Sequence, residues 1–238
     1  MATTAKTAHK ILPHGDLEPL ATGVWQVTGA LEFPLKRNMT VARLGDGTLL
    51  LHSVIAMNDA GMAALDKLGA PSILVVPNAG HRMDAPFYKA RYPNLRVVCP
   101  ASKRAKIEEV VAVDATSEEA LPPLGVRLHA LDGFKLGELA YELDTPGGKL
   151  LIVTDALGNA DAPPGLGGWL TAAVAGGVKG RLGVPRFIRL AFTSDKKLAR
   201  ASVQKLAAIG GVAVVTVAHG KAVTDRCDEA LIEAAARF

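Results

Sequence analysis

Short continuous runs of apolar residues, each ended by polar or turn-forming residues, predict buried β-strands along the chain. Residues 72–76, 149–153 and 212–217 are the clearest runs, and such runs are typical of strands covered on both faces. Turn-forming residues between apolar segments also predict hairpins. The paired segments are residues 39–44 with 48–52, around an Asp-Gly turn, and residues 138–143 with 149–153, around a Pro-Gly-Gly turn.

Amphipathic segments with capping signals predict helices among these strands. Asn58 can cap a helix that Gly69 ends, and Asp195 can cap another, through residue 209, whose inward face includes Leu198. Further helices are predicted at residues 85–91, at residues 102–109 and from residue 225 to the end of the chain.

The order of these elements predicts an α/β fold in four layers. The chain has a strand-rich half with helices, followed by a second strand-rich half with helices. A single doubly wound sheet needs a helix between most strands, and the predicted hairpins have none. Two sheets packed face to face with helices outside, an αββα sandwich, satisfy this order. Residues 1–16 are expected to form an N-terminal tail, and residues 17–238 to form one domain.

Composition narrows the functional classes. Of the 238 residues, 49% are hydrophobic and 21% are charged, as in folded globular proteins. The net charge of +4 is spread along the chain, so no nucleic-acid partner is expected. The two cysteines stand far apart, which excludes a zinc knuckle and a disulfide scaffold. No signal peptide is visible, and basic residues interrupt the apolar segment 166–192, so we expect a cytoplasmic protein without a membrane span.

Three loops that follow apolar strands carry groups capable of chemistry. The first loop is residues 78–84, the second contains Asp155, and the third contains His219. Functional groups collect beyond the carboxyl ends of buried strands, so these groups are candidates for one site. Taken singly, Asp155 can equally be a turn residue or helix cap, and His219 a turn histidine.

Taken together, the loops resemble the metallo-β-lactamase superfamily. The matching segments are residues 131–138, residues 151–157 with a Thr-Asp strand end, and residues 217–220 with a final His-Gly, and the resemblance covers residues 19–238. It implies the αββα fold. Local features, such as Arg37-Asn38 and His52-Ser53, resemble an uncharacterised branch whose members are described as metal-dependent hydrolases.

The departures from the superfamily pattern affect the metal site that the resemblance implies. Counted from the strand end, four residues of the first loop replace the family's His, His, Asp and His, and Phe134 replaces the His of its third loop. Asp155 and His219 match, which is too few ligands for the family's dinuclear zinc site. The replacing residues of the first loop are Asn78, Gly80, Arg82 and Met83.

A smaller site is implied if the first loop shifts by one residue. His81, Asp84, Asp155 and His219 would then form a set of two histidines and two carboxylates, suited to one zinc, iron or manganese ion. The resemblance thus implies a hydrolase with a degraded or mononuclear metal site. The alternative is a metal-free, non-catalytic protein that binds a small molecule or a partner in the former cleft. The sequence identifies neither the substrate nor a catalytic acid, base or nucleophile.

Other residues have expected supporting roles around the cleft. His52 could steady the loop 78–84 by hydrogen bonds, or could be a buried histidine with one satisfied nitrogen, and Asn78 and Phe134 are expected beside the cleft. We expect residues 165–192 to cover it as short helices. The basic residues from Arg181 onwards could bind an acidic substrate or an anionic lipid surface, or could form solvated helix faces.

Overall fold

Two β-sheets organise the molecule. The computed structural model describes residues 9–32, 35–159 and 180–238. The first sheet has seven strands in chain order, antiparallel from β1 to β4 and parallel from β4 to β7. The second has the order β11-β10-β9-β8, with only β10 and β11 parallel. The strands are β1 (Glu18–Ala21), β2 (Val24–Ala30), β3 (Lys36–Arg43), β4 (Leu49–His52), β5 (Pro71–Val75), β6 (Arg96–Cys99), β7 (Ala115–Thr116), β8 (Arg127–Ala130), β9 (Leu139–Thr145), β10 (Gly148–Val153) and β11 (Val212–Val217).

Helices flank the two sheets, and side chains cap several of them. Asn58 caps the first helix by accepting a hydrogen bond from the amide of Gly61, and Thr116 begins a short helix with a capping box to Glu119. Among the described residues, the helices are α1 (Asp59–Leu68), α2 (Ala85–Arg91), α3 (Arg104–Ile107), α4 (Ser117–Ala120), α5 (Arg186–Ala191), α6 (Lys196–Ala207) and α7 (Cys227–Ala236).

Three hydrophobic cores lie between the successive layers of helices and sheets. The central core lies between the sheets, where Leu50 and Val75 of the first sheet and Tyr141 and Ile152 of the second are buried. A second core packs the outer face of the first sheet against α1 and α2. A third packs the outer face of the second sheet against α6 and α7. The predicted αββα sandwich and both predicted hairpins are therefore confirmed.

Two local predictions from the sequence are wrong. Leu198 is 52% exposed, because the buried stripe of α6 runs through Ala199, Val203 and Leu206, at helical spacing, and residue 198 lies beside it. The helix predicted at residues 102–109 is a 3₁₀ turn followed by the single-turn α3.

The structure describes only part of two predicted segments, the N-terminal tail (residues 1–16) and the cover over the cleft (residues 165–192). Pro13 accepts a backbone hydrogen bond from Ala30, and His14 Nε2 accepts one from the amide of Asn58, so residues 9–16 contact the sheet and α1. Of the segment 165–192, residues 165–179 lie outside the described residues, and α5 forms in the remainder. Within the described ranges, no helix combines the length and apolar character that crossing a membrane requires.

The N-cap of α6 provides a test of local stability. Asp195 Oδ1 accepts hydrogen bonds from the amides of Lys197 and Leu198, at 2.8 and 3.0 Å. Asp195→Ala should lower the free energy of unfolding by about 1 kcal/mol, measured by urea denaturation. Lys196→Ala removes a neighbouring exposed side chain and should cost less than about 0.5 kcal/mol. Equal losses in the two variants would show that the cap contributes nothing.

Candidate metal centre

Three side chains able to bind a metal ion meet at one end of the sandwich. His81 follows β5, Asp155 follows β10 and His219 follows β11, and one ligand atom from each lies within 4.8 Å of the others. Asp155 Oδ2 is 3.3 Å from His81 Nε2, and Asp155 Oδ1 is 3.2 Å from His219 Nε2. The imidazole centroids are 5.9 Å apart. The loops that follow these three strands therefore meet at one end of the sandwich.

Asn78 shapes the loop that carries His81. Its Oδ1 accepts a hydrogen bond from the amide of Gly80 at 2.7 Å and caps the 3₁₀ turn Ala79–His81. A 3₁₀ turn has three residues per turn, so residues 78 and 81 face the same side. Asn78 Nδ2 donates to Asp155 Oδ2 at 2.8 Å. The turn thus brings both His81 and Asn78 to the carboxylate of Asp155.

Fixed partners orient both histidines. His219 Nδ1 donates to the carbonyl of Lys36 at 2.7 Å, because a carbonyl oxygen only accepts. His81 Nδ1 is hydrogen-bonded to Ser53 Oγ, also at 2.7 Å. Each ring therefore turns its Nε2 towards Asp155. Partners that hold the far nitrogen in this way are typical of histidines that bind metal ions.

Ser53, His81 and Asp155 also have the connectivity of a Ser–His–Asp triad. Ser53 has a φ of 57°, which is uncommon for a residue other than glycine. Its relative exposure is 0%, however, so the hydroxyl cannot reach a substrate. The geometry therefore supports a role for Ser53 in orienting His81 and does not support a nucleophile.

The charges of the site stabilise one another. Burial alone would raise the pKa of Asp155, but the facing imidazoles of His81 and His219 outweigh it and hold this pKa well below its usual range. Burial alone would lower the pKa of His219, but the close contact with the ionised Asp155, 3.2 Å away, raises it. Asp155 is therefore an ionised carboxylate in a mostly enclosed position.

Glu138 is a buried carboxyl group beside the site that the sequence did not single out. Its Oε2 accepts a hydrogen bond from the amide of Asp155 at 2.8 Å, and its relative exposure is 2%. Burial, together with the charge of Asp155, raises the pKa of Glu138 to about 8. Glu138 thus fixes the backbone of Asp155 through a buried carboxyl group whose pKa is raised. The available signal was a glutamate directly before a buried strand.

Asp84 lies outside the group of three. Its carboxylate pairs with the buried guanidinium of Arg37, contacts His9 Nε2 at 2.7 Å and accepts from the amide of Ala56 at 3.2 Å. These contacts tie the start of α2 to the first sheet and to the N-terminal residues. The structure therefore brings together His81, Asp155 and His219 of the predicted set and separates Asp84 from them.

His52 and Phe134 occupy different environments. His52 is buried at the end of β4, with Nε2 3.5 Å from Thr154 Oγ1 and its ring edge-on to Tyr141. Burial lowers the pKa of His52 to about 3. The side chain of His52 thus contacts Thr154, the residue before Asp155. Among the described residues, no hydrogen bond joins His52 to the loop 78–84. Phe134 packs in the outer core of the second sheet, with its ring edge-on to Phe238 at 6.0 Å.

The donor set fits a divalent cation. Two imidazole nitrogens and a carboxylate are ligands that zinc, iron(II) and manganese(II) accept. The buried Asp155 Oδ1 lies near His219 Nε2 but has no aligned hydrogen bond among the described residues. Asp155 Oδ1 therefore has lone pairs available to bind an ion held between Asp155 and the two histidines.

Comparison with known proteins identifies the fold. DIM-1 metallo-β-lactamase exposed to ceftazidime aligns with a TM-score of 0.63 at 14% identity, over 96% of this chain and 99% of that one. A metallo-β-lactamase from Erythrobacter litoralis gives 0.62 at 17%, over 96% and 100%. FIM-1 from Pseudomonas aeruginosa, in its mono-zinc form, gives 0.62 at 12%, over 96% and 97%. No family model matches the sequence, and a search of curated proteins gives no match.

Proposed function

From the metallo-β-lactamase fold of this chain, we propose that the protein is a metal-dependent hydrolase with a mononuclear site formed by His81, Asp155 and His219. The convergence of their ligand atoms within 4.8 Å carries the proposal. Three protein ligands suffice for a catalytic site, and they leave coordination positions for water and substrate. A divalent ion held there supplies Lewis acidity, which polarises a substrate carbonyl or phosphoryl oxygen and acidifies water.

The residues around the ligands divide the remaining tasks. Ser53 and the carbonyl of Lys36 keep the two histidines turned towards Asp155. Glu138 holds the Asp155 amide. Asn78 donates from its nitrogen to Asp155 and accepts at its oxygen from Gly80, where the superfamily pattern has a histidine ligand. This use of Asn78 supports one metal ion in place of two.

Metal content is the first test of the proposal. Protein purified without chelator should contain close to one equivalent of zinc, iron or manganese by elemental analysis. After removal of the ion, titration with each of the three metals should restore one equivalent and raise the melting temperature, because an ion that binds only the folded state stabilises it. Absence of stoichiometric binding by all three, with iron tested anaerobically, would refute the proposal.

A metal-free binding protein is the second candidate, and the contacts of Asp155 favour it. The carboxylate accepts a hydrogen bond from Asn78 and lies within 3.3 Å of Nε2 of both His81 and His219, so charged imidazoles can balance it without a metal ion. In this case the cleft would bind a small molecule without catalysis. The same metal titrations decide between the two candidates, since this one predicts no uptake.

A further inference from the structure

Strand β3 of the first sheet holds the turn that carries His219 in the second. The backbone N–H of Asn38 donates to the carbonyl of Ala218 at 2.8 Å. Its side-chain Nδ2 donates to the carbonyls of Val217 and Gly220, at 2.9 and 2.6 Å. Three hydrogen bonds from one residue therefore fix the carbonyl groups on both sides of His219.

Asparagine is suited to this position by its chemistry. Asn38 has a relative exposure of 2%, so its polar atoms need partners within the protein. Nδ2 provides two N–H donors for two carbonyl oxygens, while Oδ1 accepts from Thr28 Oγ1 at 2.8 Å. Aspartate has the same shape but would place an oxygen against the carbonyls. Serine is too short to span both.

The site itself is divided between the sheets. His81 comes from the first sheet, and Asp155 and His219 come from the second. Its geometry therefore depends on how the His219 turn is held relative to the first sheet. Asn38 and the carbonyl of Lys36, both in β3, make that connection.

We propose that Asn38 is the positioning residue for His219: through the turn backbone, it keeps the imidazole in hydrogen bond with Lys36 and facing Asp155. The consequence for metal affinity rests on the function proposed above. The consequence for the His219 ring does not, because the hydrogen bond to Lys36 involves protein groups alone.

The metal arm of the test compares Asn38→Asp and Asn38→Ser with the wild type. Zinc affinity, from competition with a chromophoric chelator, should fall about 10- to 100-fold, the usual cost of losing an outer partner of a metal ligand. The visible spectrum of the cobalt(II)-loaded variants should also shift. Leu143→Ala, which removes a buried side chain of the central core, is the control for lost stability and should retain wild-type affinity and spectrum.

The ring arm uses metal-free protein and nuclear magnetic resonance. The His219 Nδ1–H proton should give a slowly exchanging signal in the wild type and in Leu143→Ala. That signal should be lost to rapid exchange in Asn38→Ser, and in Asn38→Asp if this variant folds. If the wild type binds no metal, the proposed function is refuted. The Nδ1–H signal of His219 in the metal-free variants then remains as the test of the role of Asn38. Folded Asn38→Ser with an unchanged Nδ1–H signal and unchanged zinc affinity would overturn the positioning role.

Discussion

Replacing Asp155 with alanine is expected to abolish stoichiometric metal binding. Asp155 supplies the negative charge of the proposed site and lies between the two imidazoles, at 3.3 Å from His81 and 3.2 Å from His219. The variant leaves two neutral nitrogen ligands, fewer than the three that a catalytic zinc site uses. The loss of affinity should exceed the roughly 100-fold cost of removing an outer partner. Equilibrium dialysis followed by elemental analysis measures it.

Asp84→Asn is the matched control, because Asp84 is the other carboxylate near the loop of His81. Its contacts are with Arg37, His9 and the amide of Ala56, so Asp84 is not a ligand and the loss of metal affinity should stay well below that of Asp155→Ala. The free energy of unfolding should fall by about 3 kcal/mol, since the buried Arg37 loses its ionic partner. A loss of metal in Asp84→Asn as large as in Asp155→Ala would contradict the grouping of ligands in the structure.

The fold could be predicted because its determinants are local. Residues 149–153 and 212–217 are continuous apolar runs, and each forms a buried strand of the second sheet. The turn residues around position 147 specify the hairpin of β9 and β10 in the same way. The helix expected at residues 102–109 is shorter because Val111 and Val113 are buried in the outer core, which draws the chain back towards β7. The burial of these two valines is set by tertiary packing, which the sequence around residues 102–109 does not reveal.

The candidate site could be predicted only in part. Asp155 and His219 each lie two residues beyond an apolar strand, so the strand ends point to them as candidates, and the resemblance to a known family joins them in one site. The sequence predicts both His81 and Asp84 as ligands, whereas the 3₁₀ turn capped by Asn78 brings only His81 to Asp155, and counting from the strand end does not reveal such a turn. Asn38 acts on residues about 180 positions away in the chain, so its role becomes visible only once the sheets are packed.

Lowering the pH is expected to destabilise the wild type more steeply than His52→Gln. Burial holds the pKa of His52 at about 3 in the folded protein, whereas an unfolded histidine has a pKa of about 6.5. The unfolded state therefore binds a proton that the folded state refuses, and the stability due to neutral His52 is complete above pH 6.5 and declines towards pH 3. Glutamine can place an amide nitrogen near the position of Nε2 without titrating.

The measurement is urea denaturation of both proteins, with chelator present, at a series of pH values. Between pH 6.5 and 5, the wild type should lose about 1.6 kcal/mol more than the variant, because the unfolded histidine goes from half to almost fully protonated over this range. The other titratable groups are the same in both proteins, so the difference reports the substitution at position 52 and its electrostatic coupling to His81 and Asp155. Parallel stability curves would mean that His52 accepts its proton inside the fold. The contact with Thr154 would then survive a charged imidazole, and burial at the end of β4 would not exclude the proton from His52.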